Sequence, residues 1–414
     1  MLRLPISAMF LILLLTCFCL SSVSVRPVKS LSITIIVPND YPTIQGAINN
    51  ANNGDLIFVR SGVYPEEITV NKTVSLIGQD KETTIIDASG KVSGITITFD
   101  NVTLSGFTVQ NSGWNGILVQ SSYCFLSNNT LIESNEEGIF LDGRTAHVFG
   151  NTITDNLVLK SGDCGILVWA ATNNYIDFNT VEEAFFGIFL YLDATCNQIG
   201  QNIISNNSDA GVVLDICGPN NRVVSNNITN NGRIVFTIWN AGIALNVCSE
   251  NQIVSNYISN NQKGILQNTQ TNNNLIYHNS FVDNKIQVDN PTLSNDIWDD
   301  GYPDGGNYWS DYAGLDEKRG PYQNLTGTDG IGDTPYAIDG NDMDHYPLMR
   351  PYMYVLGDLN RDSKVDIRDI VIVASAFGSF PDHPRWNPEA DINQDEIIDI
   401  RDIAIVASNF GKLF

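Results

Sequence analysis

Along most of this chain, apolar residues come in short alternating runs that are broken every few positions by Asn, Ser and Gly. From residue 94 one phrase keeps returning: GITITF, GILVQS, GIFLDG, GILVWA, GIFLYL, GVVLDI, GIALNV and GILQNT. Its glycines are Gly94, Gly116, Gly138, Gly165, Gly187, Gly211, Gly242 and Gly264, separated by 22, 22, 27, 22, 24, 31 and 22 residues. A second column keeps step with it, at Asn129, Asn151, Asn179, Asn202, Asn226, Asn256 and Asn279, each with an apolar residue two positions later. Alternation with period two marks strands, and turn residues this frequent leave no room for helices of ordinary length. Two phase-locked columns mean a solenoid. A coil of about 22 residues cannot close a core alone, but stacked coils pair each strand with its counterpart above and below. The pattern therefore predicts an all-β parallel β-helix over residues 25–350, with coils over about 81–290. Its asparagines are expected to take left-handed turns and to stack their amides in a ladder.

Open strand edges at the ends of a solenoid need covering. In YPTIQGAINNANNGD, Ile44, Ala47, Ile48 and Ala51 share one helical face, which predicts an N-terminal helical cap within about 35–80. The pieces LIFV, EITV and VSLIG then begin the coils. Residues 291–350 lose the repeat and turn aromatic and acidic, as expected of a C-terminal cap.

These residues carry a resemblance. TIQGAINNANNGDLIFVRSGVY followed by VSLIG is similar to the start of pectin-lyase-like right-handed β-helix proteins. The Asn/Gly coils closed by WDDGYPDGGNYWSDY, DGIGDTPY and YPLM resemble archaeal surface and NosD-like β-helix proteins. The likeness spans roughly residues 35–350. It implies the fold far more than a function, since this scaffold carries lyases, hydrolases, esterases, adhesins and copper-maturation proteins.

Strand alternation turns the residue after each glycine, and the one two further on, inward. The first outward column, Leu118, Phe140, Leu167, Phe189, Val213, Ala244 and Leu266, is apolar without a break and calls for a cover. The second reads Gln120, Asp142, Trp169, Tyr191, Asp215, Asn246 and Asn268, a mixture of rings and polar groups suited to a sugar-binding groove. Asp142 and Asp215, three coils apart, would be roughly 14 Å apart, too far for paired carboxylates in glycoside hydrolysis. Asp193 and Asp215, on neighbouring coils, are the catalytic candidates. The column leaves open whether the chain is a carbohydrate-active hydrolase or lyase, or a binding or scaffolding protein. Cys217 and Cys248 each lie six residues after their glycines on consecutive coils, which stacks them near disulfide separation.

A different pattern ends the chain. Residues 358–378 and 391–411 both read D-x-N-x-D-x-x-x-D-I-R-D-I-x-I-V-A-S-x-F-G. Calcium loops place oxygen ligands at positions 1, 3, 5, 7, 9 and 12, because a hard cation takes six to eight oxygens. The first copy offers Asp358, Asn360, Asp362, the Lys364 carbonyl, Asp366 and Asp369. The second offers Asp391, Asn393, Asp395, the Ile397 carbonyl, Asp399 and Asp402. Short helices are expected after each loop, ending at Gly378 and Gly411. The tandem copy resembles a type I dockerin over residues 356–414, joined by a linker at 351–355. The resemblance implies two Ca2+ ions and a cohesin-like partner, with Ile367, Arg368, Ile400 and Arg401 at the positions that select it. Position 6, normally Gly, is Ser363 and Glu396, and a non-Gly residue in left-handed backbone costs roughly 1–2 kcal/mol there.

Charge narrows the partners. A net charge of −24, from 46 acidic against 22 basic residues, repels nucleic acid and anionic membranes. Residues 1–24, with Arg3 before an apolar run, read as a secretory signal, so the mature protein is expected outside the cell and not embedded in a membrane. His147, His278, His345 and His383 are scattered, as are Met343, Met349 and Met353, which disfavours a soft-metal site. Asp339, Asp342 and Asp344 near His345 are a candidate for a further calcium ion. The expected whole is a secreted or cell-surface β-helix that binds, and in one reading degrades, extracellular polysaccharide. The alternatives are a non-catalytic adhesin or structural protein, and a NosD-like copper-maturation factor. Sequons at Asn71, Asn101, Asn128, Asn206, Asn227 and Asn324 permit glycosylation.

Overall fold

The computed structural model describes residues 32–234, 238–290, 294–338, 342–352, 357–359, 365–381, 383–393 and 395–411. The signal segment, Asp339, Asn360, Asp362, Ser363 and Lys364 lie outside them.

Three parallel sheets make a right-handed solenoid, each coil giving one short strand to each sheet. Sheet A has 11 strands, from Thr34–Val37 to Leu275–Tyr277; sheet B has 11, from Gly62–Tyr64 to Tyr308–Trp309; sheet C has 10, from Ile68–Val70 to Val288–Asp289. The inward residue of each strand stacks on its equivalent. In sheet A, Leu104, Leu126, Ile153, Ile176 and Ile199 are in register, and all are fully buried. Leu131, Val158, Val181 and Ile204 do the same in sheet B. Three such columns fill the interior, each residue contributing about 1.5–3 kcal/mol through its burial. The glycine column marks where one coil comes closest to the next: a Cβ on Gly138 would lie 2.6 Å from the Gly165 carbonyl oxygen and 2.3 Å from Val158 Cγ1.

The asparagines form ladders at the corners, and here the structure corrects the sequence reading. Asn129, Asn156, Asn179, Asn202, Asn226, Asn256, Asn279 and Asn307 are one ladder, in which each backbone N–H and side-chain amide donates to the next Oδ1. Asn151 belongs to a second, with Asn174, Asn197, Asn221, Asn251 and Asn274. A third runs from Asn207 through Asn231 and Asn261 to Asn284. Nor do the ladder asparagines take the left-handed turns. The residues before them do, as at Asn128 (φ 53°), Phe178 (φ 59°) and Gln201 (φ 53°), which turns the following amide inward.

Both caps are present. The helix Ile44–Asn50 is N-capped by Thr43 and buries Ile44, Ala47 and Ile48, with Ala51 at its C-cap. At the other end, Phe281, Trp309 and Tyr336 stack at 4.3 and 4.2 Å and close the sheet B column. Beyond it, helices Ile367–Ala376 and Ile400–Asn409 each begin in a capping box, Asp366 with Asp369 and Asp399 with Asp402. Their apolar faces meet over Val365, Val373, Ile398 and Val406.

Candidate functional site

Sheet C keeps the register expected for its outer face. Asp142, Trp169, Tyr191, Asp215 and Asn246 are successive partners, so Asp142 and Asp215 are three coils apart. The apolar column beneath them is covered. Leu167, Val213, Ala244 and Leu266 are buried in a second apolar cluster with Phe185, Phe186 and Trp239, which come from the corners and from the long coil between Gly211 and Gly242. The rings continue in edge contacts, Phe189 to Tyr191 at 5.7 Å and Tyr191 to Trp169 at 4.9 Å, and Trp169 and Tyr191 stay half open.

Each end of this aromatic row carries a buried carboxylate. Asp142 makes two hydrogen bonds to the Arg144 side chain, at 2.7 and 3.0 Å, and accepts a third from Gln120 Nε2 at 3.2 Å. The guanidinium lies 4.5 Å from the Trp169 ring centre and 5.1 Å from that of Phe140. Burial raises the Asp142 carboxyl, but the hydrogen bonds from Arg144 and Gln120 outweigh it and hold the group below its ordinary range. Asp215 accepts one bond from Asn246 Nδ2 at 2.7 Å, and burial pushes it up. Asn268 is half-buried at the far end. Asp193 is on the neighbouring coil from Asp215 but not opposite it: its N–H donates to Ile216 O, and it sits exposed in a left-handed turn with φ 67°.

The sequence reading missed a further carboxylate cluster. Oxygens of Glu136, Glu137 and Asp163 lie within 4.8 Å of one another at the corner leading into sheet C. Burial, followed by the Asp163 charge, pushes Glu137 up to about 7. The clue was there in the chain, since Glu137 directly precedes Gly138 and Asp163 stands two before Gly165, in phase with the glycine column.

In the second acidic loop, Asp402 accepts from the Ile392 and Asp399 N–H groups at 2.9 and 2.8 Å, and Asp391 from Asp395 and Glu396 at 3.2 and 2.9 Å. Arg401 bridges Asp395 and Asp399. Burial and then the neighbouring Asp402 and Asp395 charges raise Asp391. Carboxylates gathered this way fit a hard divalent cation. Glu396 at position 6 has φ 64°, the strained backbone expected there. In the first loop, Asp369 accepts from Leu359 and Asp366 in the same way. Ile367, Arg368, Ile400 and Arg401 are exposed.

A family model for the right handed beta helix region matches residues 93–235, one for the periplasmic copper-binding protein NosD matches 233–314, and one for the dockerin type I domain matches 356–410. The chain is a right-handed parallel β-helix with a C-terminal dockerin. The dockerin is of the calcium-binding type. A cell surface glycoprotein of Methanothermus fervidus is 30% identical over 317 residues, covering 65% of this chain and 51% of the relative. The chain thus spans about half the length of the curated relative it matches. Among solved structures, the A-module of an Azotobacter vinelandii mannuronan C-5 epimerase aligns with 61% of this chain and 92% of its own, at 14% identity and TM-score 0.43. A capsular polysaccharide depolymerase tailspike of Acinetobacter baumannii bacteriophage Fri1 aligns with 64% and 61%, at 8% identity and TM-score 0.44. No chemistry is carried over from either.

Elsewhere in the β-helix, Cys217 and Cys248 are register neighbours, since Ile216 N donates to Asn246 O. Both are buried free thiols, and Cys248 is raised well above the thiol range first by its hydrogen bond with Cys217 and then by burial. The expected stacking is present; the bond is not. The described histidines do not gather: His278 stacks on Tyr352 at 4.4 Å, and His345 pairs with Asp299 at 2.9 Å. Asp342 and Asp344 go to different partners, Asp342 to Ser294 and Asp344 to Asn307 and Trp309. The dockerin residues Ile392, Asn393 and Ile405 face Tyr175, Asp177 and Gln198 on the outside of sheet A across a cavity of about 460 Å³.

Proposed function

We propose that this chain is a secreted or cell-surface β-helix that binds extracellular polysaccharide along the outer face of sheet C and is assembled with other proteins through its dockerin. One observation carries the reading: the half-open Trp169 and Tyr191 rings, flanked by Gln120 and Asp142 on one side and Asp215 and Asn246 on the other. Rings of this kind stack on sugar faces while the polar groups take hydroxyls. The named residues lie on six successive coils, roughly 24 Å from end to end, which suits a chain of several sugar units. The dockerin loops would each hold a Ca2+ ion, through Asp358, Asn360, Asp362, Lys364 O, Asp366 and Asp369 in one and Asp391, Asn393, Asp395, Ile397 O, Asp399 and Asp402 in the other. A cohesin-like partner would dock on the Ile367, Arg368, Ile400 and Arg401 faces. That the M. fervidus relative is named a cell surface glycoprotein supports the location. The exposed side chains of the sequons at Asn71, Asn101, Asn128, Asn227 and Asn324 are open to glycosylation.

Cleavage is the finer claim, with Asp193 and Asp215 as its candidate pair. The test is retention on, and shortening of, a panel of neutral and acidic polysaccharides. It compares the native sequence with Trp169→Ala and with the Asp193→Asn, Asp215→Asn double variant. Retention lost in Trp169→Ala supports the groove. Shortening that vanishes in the double variant supports an enzyme, whereas retention without shortening makes the solenoid a binding module. If no polysaccharide is retained, the groove reading falls, and the adhesin or structural alternative stands with the dockerin as the working part.

A further inference from the structure

The corner that leads from sheet A to sheet B turns through a left-handed residue just before the first asparagine ladder. Neighbouring coils put polar residues there, Asn128, Asp155, Gln201, Ser225 and Ser255, with φ between 53° and 60°. Phe178 takes the same turn at φ 59° and leaves its ring 47% exposed. This backbone suits Gly, Asn and Asp and strains a bulky residue, and an exposed ring recovers little by burial. Strain kept at such a position points to a use for the ring.

The surroundings of Phe178 are those of a small-ligand site. Tyr175, on the outer face of the same strand, is 49% exposed, with Gln198 as its register partner on the next coil. Between the two rings in sequence, Asp177 accepts from Gln198 Nε2 at 3.2 and 3.4 Å, and Gln198 Oε1 in turn accepts from Arg222 at 3.5 Å. Gly200 is opposite Asp177, and a Cβ there would lie 2.5 Å from Asp177 Oδ1, so the glycine leaves the carboxylate room to lie along the sheet. These side chains, with Gln201, form one wall of the cavity of about 460 Å³, and the dockerin forms the other through Ile392, Asn393 and Ile405. Small-molecule sites run from roughly 300 to 1,000 Å³ and combine apolar walls with a few polar groups. None of the described residues lining this one is basic.

We propose that the cavity between the dockerin and the outer face of sheet A binds a short neutral sugar, stacked on Tyr175 and Phe178 with its hydroxyls taken by Asp177, Gln198 and Gln201. Rings offer their faces to the C–H groups of a sugar, and a fixed carboxylate and amides take its hydroxyls. A neutral ligand follows from the lining, because the one charged side chain in it is a carboxylate, which repels acidic sugars. A short one follows from the second wall: the groove on sheet C is open along the coils, whereas this space is closed over by Ile392 and Ile405. None of its residues belongs to the groove on sheet C, so either site can fail without the other.

The test titrates neutral disaccharides, cellobiose, maltose, lactose and xylobiose, into the full calcium-loaded chain by calorimetry, with Trp169→Ala present throughout to remove the groove on sheet C. Saturable binding of at least one is expected, and binding of none overturns the proposal. Tyr175→Ala is expected to weaken it about tenfold. Phe178→Asn is expected to weaken binding while raising the melting temperature, because Asn accepts the left-handed turn; a gain in stability beside a loss of affinity excludes misfolding as the cause. Affinity unchanged in both variants overturns the proposal. Ile405→Ala tests the dockerin wall: a several-fold loss is expected, and none would assign the sugar to sheet A alone and overturn the two-walled site.

Discussion

Glu396 sits at φ 64°, a conformation that glycine takes at no cost and other residues take at about 1–2 kcal/mol. Glu396→Gly is expected to relieve about 1 kcal/mol of this and to tighten calcium at the second dockerin loop roughly fivefold, read by isothermal titration. This position was legible in the sequence, because a loop that folds around an ion must turn sharply there. Glu137 stands in phase with the glycine column, but its protonation was not legible, since that depends on burial and on Asp163, which is 26 residues away. Its carboxyl rises from 4.5 to about 7, so the folded protein prefers it protonated, and the cost of ionising it builds as pH rises from about 4.5 to 7. Glu137→Gln is therefore expected to leave the melting temperature nearly unchanged at pH 4 and to raise it by a few degrees at pH 8. Equal shifts at both pH values would mean that the gain does not come from the carboxylate.

At the scale of one coil, the ladders explain why asparagine recurs. Asn202 receives the N–H and side-chain amide of Asn179 and gives its own amide to Ile176 O and Asn226 Oδ1, all of them buried. Asn202→Ala strands several buried polar groups at once, and a loss of about 3 kcal/mol or more is expected in urea unfolding. The assignment of Asn151 to the wrong ladder has a physical origin. It lies 22 residues after Asn129, the usual coil length, but this coil is 27 residues long between its glycines. The extra residues near 143–147 leave sheet C and carry Arg144 over Trp169, which moves the matching corner on to Asn156. The 31-residue coil likewise supplies Trp239 to cover the apolar column. Unequal coil lengths were thus the visible trace of what packs onto the outside of sheet C, though spacing alone could not say what the insertions touch.

Over the whole molecule, the solenoid and the dockerin are held by different forces. The solenoid rests on long stacked columns, whereas the dockerin core is a handful of residues around Val365, Val373, Ile398 and Val406. Chelation with excess EGTA is expected to abolish the helical part of the far-ultraviolet dichroism while the β signal persists, and Ca2+ should restore it. Retention of the helical signal without calcium would show that the dockerin folds on packing alone. What the sequence determined by itself was whatever repeats locally: strands from the period of two, stacking from the period near 22, and calcium loops from the fixed offsets of their oxygens. Only the tertiary structure decided how the corners close, that Phe185, Phe186 and Trp239 cover the outer apolar column, and that Ser294 meets Asp342. Those contacts join residues up to 50 positions apart, as Phe189 and Trp239 are, across coils of unequal length, and no local period records such a distance.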